Sequence, residues 1–222
     1  PGTNCEMDCY HVLKNLLKVD CKLIWHKETG DDDDVNAIII PGGFSYGDYL
    51  RTGAVAKFSP VMSFVRDFAQ NGGLVIGICN GFQILLEENL LPGAMLRNNT
   101  LKFICKYVNL RVEDINNPFT SGYKTNEIIR MPIRHNEGNY YIDSEGLKQL
   151  IKENRILLRY CDAQGNVNKD TNPNGSIDNI AGICNEKRNI FGLMPHPEAC
   201  SEKLLGSEDG LKIFKSIINH IF

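Results

Sequence analysis

Runs of four to five apolar residues alternate with segments of helical periodicity along the first hundred positions, the pattern of a parallel sheet covered by helices. Residues 8–18 place Val12, Leu13, Leu16 and Leu17 on one helical face, and a strand is predicted over Lys22–His26. The fully apolar Ala37–Ile40 reads as a buried strand ending in the turn Pro41-Gly42-Gly43. Ser59 and Pro60 read as an N-cap and first-turn proline of a helix burying Val61, Phe64, Val65 and Phe68, with Asn71-Gly72-Gly73 closing it. Leu74-Val75-Ile76 is a second buried strand, followed by a helix that carries Ile84, Leu85 and Leu86 and stops at Leu91-Pro92-Gly93.

From about residue 100 the pattern changes to longer alternating strands over 101–112 and 128–133, a short helix near 144–153, and further strands. Residues 164–176, rich in Asn, Gly, Asp and Pro, read as an exposed loop. A strand over 190–194 leads into Pro195-His196-Pro197-Glu198, and the last helix lines up Leu211, Phe214, Ile217, Ile218 and Ile221. The expected fold is α/β: an open, mostly parallel, doubly wound (flavodoxin-like) sheet with a mixed or antiparallel extension, formed by residues 1–222 as one domain. Such domains open with a strand, whereas this chain opens with Pro1-Gly2-Thr3-Asn4, a loop-like stretch, so a strand is expected ahead of Pro1.

Composition narrows the classes. A chain of 222 residues, 42% hydrophobic and 23% charged, can bury one sizeable core, and a net charge of −3 disfavours an electrostatically driven nucleic-acid binder. The acidic run Asp31–Asp34 reads as a solvated loop. No apolar stretch approaches the ~20 residues of a membrane span, and the expected location is the cytoplasm. The eight cysteines are expected to be reduced, and Cys5, Cys9, His11 and Cys21 lack the paired spacing of a zinc site, so no metal is expected.

The chemistry concentrates at Gly77-Ile78-Cys79-Asn80-Gly81-Phe82-Gln83. A cysteine between a buried strand and a helix, with glycines two residues before and after it, has the form of a nucleophile elbow, where the helix N-terminus favours thiolate. Among the five histidines, His196 is held between two prolines with Glu198 two residues on, so Cys79, His196 and Glu198 form the candidate triad. The backbone amides of Gly42, Gly43 and Asn80 are the candidate oxyanion donors. Gly42 and Gly47 have P-loop spacing, but Asp48 and Tyr49 stand where Lys and Ser or Thr would be needed, so no phosphate loop is read.

Together these motifs, with Arg134-His135-Asn136-Glu137-Gly138 and Asn172-Pro173-Asn174-Gly175-Ser176, resemble the triad-type (class I) glutamine amidotransferases. Within that family the chain is similar to the small, separate glutaminase subunits of phosphoribosylformylglycinamidine synthases. The resemblance implies that Cys79 attacks the glutamine amide, that His196 shuttles the proton, and that Glu198 orients the imidazole. It places Gln83, Arg134, His135, Asn136 and Glu137 around the amino-acid end of glutamine. It further implies that this chain binds no cofactor, that ATP and Mg2+ serve a large synthetase subunit receiving the ammonia, and that a small third subunit assists assembly. Ala199 departs from the family pattern, which often has a basic residue there. The competing expectations are a different glutaminase subunit or stand-alone cysteine hydrolase of similar fold, and a silent scaffold, which would be expected to lack part of the triad.

Overall fold

The computed structural model describes residues 3–30, 34–44 and 51–222. The elements in chain order are α1 (Glu6–Tyr10, continued as a π-helical turn over His11–Leu16), β1 (Ala37–Ile40), α2 (Val61–Gln70), β2 (Leu74–Ile78), α3 (Asn80–Glu87), β3 (Ala94–Leu96), β4 (Ile104–Val112), β5 (Ile128–His135), β6 (Asn139–Tyr141), α4 (Ser144–Lys152), β7 (Ile156–Cys161), β8 (Ile180–Cys184), β9 (Ile190–Leu193) and α5 (Leu211–Ile221), with short 3-10 turns between them. Among the described residues seven strands form one sheet in the order β1-β2-β9-β8-β7-β4-β5. The β1–β2 and β2–β9 pairs are parallel, whereas β9–β8, β8–β7, β7–β4 and β4–β5 are antiparallel. The parallel block thus carries the elbow and the antiparallel extension carries β5.

Every residue of β2 is buried, because helices and loops cover both of its faces. The core runs from Val75, Ile76 and Ile78 through Phe82 and Leu85 of α3 to Leu158, Tyr160, Ile183 and Phe191. Phe82 stacks on Tyr140 of β6 at 5.9 Å between ring centroids, which ties α3 to the two-stranded β3–β6 ribbon.

Four local expectations are corrected. Residues 22–26 form no strand: they find no ladder partner among the described residues, and Leu23 and Trp25 are more than half exposed. A strand exists only through pairing, so apolar alternation alone does not make one. In α2 the fully buried line is Met62, Val65 and Ala69, with Val61 and Phe68 packed against the core beside it, whereas Phe64 turns toward Gly30, where the absence of a side chain leaves room for its ring. Ser59 does not cap α2 with its side chain; its Oγ lies 3.3 Å from His26 Nδ1. The loop 164–176 ends deep in the protein, with Asn174 fully buried. Asp31, Asp32 and Asp33, and residues 45–50, lie outside the described residues, as does Pro1-Gly2. No helix of the described residues is long and apolar enough to cross a membrane.

Candidate active site

The elbow is built by close backbone approach. Cys79 stands at φ 50°, ψ −103°, in the positive-φ region that a non-glycine residue enters only when its surroundings force it. Two contacts force it. The Cys79 N–H donates to Leu193 O at 2.8 Å, and α3 crosses β1 so closely that a Cβ on Gly81 would lie 2.0 Å from the Ile40 carbonyl oxygen. A Cβ on Gly77 would likewise lie 2.6 Å from Gly81 O and 2.6 Å from Leu85 Cδ1. Cys79 is therefore held at the end of β2, against the N-terminus of α3.

His196 and Glu198 arrive from the end of β9. The His196 N–H donates to Pro132 O at 2.9 Å, which fixes the segment against β5. Pro197 opens a 3-10 turn over Pro197–Cys200, so the two side chains meet across a tight turn and not along an extended segment. His196 Nδ1 lies 2.6 Å from Glu198 Oε1, and both residues are about 2% exposed. Burial works against the imidazolium, but the Glu198 carboxylate, followed by the Cys79 and Cys5 thiols, outweighs it and holds the His196 pKa well above the ordinary histidine value. His196 Nε2 and Glu198 Oε2 have no hydrogen-bond partner among the described residues. The Cys79 thiol lies toward Arg134 O at 3.7 Å.

Gly42 lies against the same imidazole: a Cβ there would be 2.7 Å from His196 Cε1. The Gly42 carbonyl accepts from the N–H groups of Asn4 and Cys5, at 3.3 and 3.2 Å, and Gly43 bridges Thr3. The turn after β1 is thereby held in place beside His196. Asn80 is the first residue of α3, and its side chain donates to Gln83 Oε1 at 2.9 Å.

The segment 134–137 closes another side, though its residues are used differently from one another. Gln83 Nε2 donates to Glu137 O at 2.6 Å, so both ends of that amide are engaged within the protein and it serves as a strut. Arg134 reaches inward: its Nη2 lies 3.3 Å from His196 Nδ1, 3.5 Å from Glu198 Oε1 and 3.9 Å from Cys5 Sγ. His135 is buried, its Nδ1 3.0 Å from Asn98 Oδ1, and burial, aided by the nearby His196, lowers its pKa to about 4. The Asn98 oxygen can only accept, so Nδ1 carries the proton and His135 is neutral. Asn136 is exposed and its carbonyl accepts from Asn98 N–H, while the Glu137 carboxylate lies 3.4 Å from Arg97 Nε.

Sequence reasoning missed Asn98 and Arg97, and it gave Asn174 and Cys5 no role in the site. Asn98 is fully buried and joins β3 to the segment by bonding His135 O, His135 Nδ1 and Gly138 N–H. Asn174 donates to Gly138 O at 2.7 Å. Both asparagines occupy turn-like contexts, Asn98-Asn99 and Asn172-Pro173-Asn174-Gly175, and no local signal separates a turn asparagine from one reaching into a distant site. The Gly47, Asp48 and Tyr49 positions that argued against a phosphate loop lie outside the described residues.

The sequence profile of the CobB/CobQ-like glutamine amidotransferase domain matches residues 1–218. The PurQ subunit of phosphoribosylformylglycinamidine synthase from Koribacter versatilis is 57% identical over 218 residues, covering 98% of this chain and 94% of that protein. The corresponding subunit from Pseudothermotoga lettingae is 54% identical, covering 98% and 91%. Among solved structures, a chain of PurLQS from Thermotoga maritima superposes with a TM-score of 0.81 at 44% identity, covering 100% of this chain and 95% of that one. The glutaminase domain of Trypanosoma brucei CTPS, at 13% identity and a TM-score of 0.59, shares the fold. The chain therefore belongs to the CobB/CobQ-like glutamine amidotransferase family and, within it, to the PurQ subunits of phosphoribosylformylglycinamidine synthase.

Proposed function

We propose that this chain, as one domain, is the glutaminase subunit of a phosphoribosylformylglycinamidine synthase and works through Cys79, His196 and Glu198. The observation that carries the catalytic assignment is the forced positive φ of Cys79 at the start of α3, beside a buried His196–Glu198 pair. No other described cysteine stands at positive φ.

In this reading His196 takes the thiol proton through Nε2 while Cys79 Sγ adds to the side-chain carboxamide carbon of glutamine. The N–H groups of Gly42, Gly43 and Asn80 stabilise the oxyanion. The imidazolium, held by Glu198, passes its proton to the departing nitrogen, the C–N bond breaks, and ammonia leaves a glutamyl thioester on Cys79. Water activated by His196 then cleaves the thioester, releasing glutamate and restoring the thiol. Gln83 and residues 134–137 form the wall facing the amino-acid end of glutamine. With Gln83, His135 and Asn98 bonded to one another's segments, that wall is rigid before substrate arrives.

The ammonia goes to a large synthetase subunit, which uses ATP and Mg2+ to convert formylglycinamide ribonucleotide into formylglycinamidine ribonucleotide in purine synthesis, with a small third subunit completing the complex in the cytoplasm. The solved Thermotoga maritima assembly supports this partnership, since a chain of it is the structural relative described above. The test is Cys79→Ser in the assembled synthase. Glutamine-dependent synthesis is expected to vanish while synthesis from added ammonium salt persists. Loss of both in an intact complex would show that this subunit takes part in the synthetase chemistry itself.

A further inference from the structure

Cys5 has no part in the scheme above, yet its thiol lies at the back of the triad. Its Sγ, a His196 ring nitrogen and a Glu198 carboxylate oxygen all fall within 4.8 Å of one another, and all three residues are buried. This is one sulfur, one nitrogen and one oxygen donor converging from the loop before α1 and the turn after β9. Glu198 Oε2 and His196 Nε2 add two buried polar atoms with no partner among the described residues.

We propose that Cys5, His196 and Glu198 form an inhibitory site for a thiophilic divalent cation of the Zn2+ type, which shuts the glutaminase by occupying its base. The proposal rests on the triad reading of the previous subsection. The donor set selects the ion: thiolate and imidazole favour Zn2+ or Co2+, whereas Mg2+ and Ca2+ take oxygen ligands. Three protein ligands leave a fourth tetrahedral position for water.

The geometry is close to what such an ion needs. With Zn–N, Zn–O and Zn–S bonds of about 2.0–2.3 Å, the ligand-to-ligand edges of a tetrahedral site are about 3.3–3.5 Å. The His196–Glu198 separation of 2.6 Å would open by less than ~1 Å, and the wider separations, at most 4.8 Å, would close by up to ~1.5 Å.

In this structure a cation already stands among the three residues, namely the Arg134 guanidinium, at 3.3 to 3.9 Å from His196, Glu198 and Cys5. Its side chain is 36% exposed, so it can swing to solvent and admit an ion. A divalent cation entering there replaces a single positive charge beside the Glu198 carboxylate.

The test uses the full chain with the metals alone, reading Co2+ absorption and glutaminase activity separately. Wild type and Cys79→Ser are expected to give a thiolate-to-Co2+ charge-transfer band of equal strength, and Cys5→Ser to lack it. Zn2+ is expected to inhibit wild-type glutaminase at least ten-fold more potently than Cys5→Ser, which retains the backbone bonds of residue 5 to Gly42. Arg134→Ala is expected to tighten Co2+ binding, because the competing cation is gone. A band that survives Cys5→Ser and disappears in Cys79→Ser would place the ion on the elbow thiol and overturn the proposal, as would the absence of any band. Full glutaminase activity in Cys79→Ser would instead defeat the triad reading, and the Co2+ spectra would still report on the site by themselves.

Discussion

An alanine at position 81 puts a methyl group where α3 crosses the end of β1, and the structure sets the size of the collision. The new Cβ would lie 2.0 Å from Ile40 O, 2.8 Å from Ile40 C and 3.1 Å from Ile40 Cβ. Reaching even 3.0 Å from the oxygen requires the two backbones to part by about 1 Å. The obstacle is main chain, and Ile40 is pinned opposite Gly77 in the parallel β1–β2 pair, so no rotamer change relieves it. A cost of about 3 kcal/mol, the upper end of ordinary overpacking, is expected. For a chain of this length that corresponds to a fall in Tm of about 6–12 °C. The matched control is Gly72→Ala, where φ is 92° and nothing lies within 4 Å of the added methyl. It carries backbone strain alone, about 1–2 kcal/mol. Function separates the two further. Shifting the end of β1 moves Gly42 and Gly43 relative to Cys79, and a misplacement of about 1 Å costs on the order of 100-fold in turnover, whereas Gly72 terminates α2 far from the reacting atoms. Thermal unfolding and steady-state glutaminase kinetics on both variants provide the comparison. A Gly81→Ala protein as stable and as active as Gly72→Ala would refute the claim that the elbow is held by this contact.

Glu198→Gln keeps the shape beside His196 but loses the charge, whereas His196→Ala removes the base, so turnover in the assembled synthase is expected to fall less for Glu198→Gln; equal or reversed losses would count against orientation as the role of Glu198. His135, with its pKa lowered by burial from 6.5 to about 4, takes up a proton in the unfolded chain before it does so in the folded one. Its contribution to stability is therefore complete above pH 6.5 and falls by about 3 kcal/mol as pH drops toward 4. His196, whose pKa is raised above 6.5, contributes with the opposite sign, its stabilisation being fully present below the ordinary histidine range, and it cancels between wild type and the His135 variant. Denaturant unfolding of wild type and His135→Gln between pH 7 and 4 checks this, the variant being expected to show the shallower decline.

The parts of the site that were legible in the sequence are those set by neighbours in the chain. Glycines at 77 and 81 around Cys79 announce the elbow because Ile40 excludes a side chain at 81, and Gly81 O and Leu85 exclude one at 77. The His196–Glu198 pair is legible from its spacing, although the 3-10 turn that joins the two side chains is not, since a proline-flanked histidine reads equally well as extended backbone. Contacts across distant segments left no such trace. Arg134, assigned by resemblance to the substrate's amino-acid end, also reaches His196 and Glu198, 62 and 64 positions away in the chain, a contact no local pattern announces. Asn174, read as part of an exposed loop, and Asn98, which carries no local signal, are buried struts. The missing strand at 22–26 makes the same point for secondary structure: alternation states what a segment can do, and the partner decides whether it does so.

The central claim is that Cys79 carries the glutamyl group. Mixing the chain in its assembled complex with glutamine, quenching in acid during turnover, and mapping the peptides by mass is expected to find one γ-glutamyl adduct, on the peptide containing Cys79. His196→Ala, which cannot pass a proton to the departing ammonia or activate water, is expected to form it more slowly. A γ-glutamyl adduct on Cys5 or Cys200 with Cys79 unmodified, or steady glutamine hydrolysis by Cys79→Ser, would contradict the account.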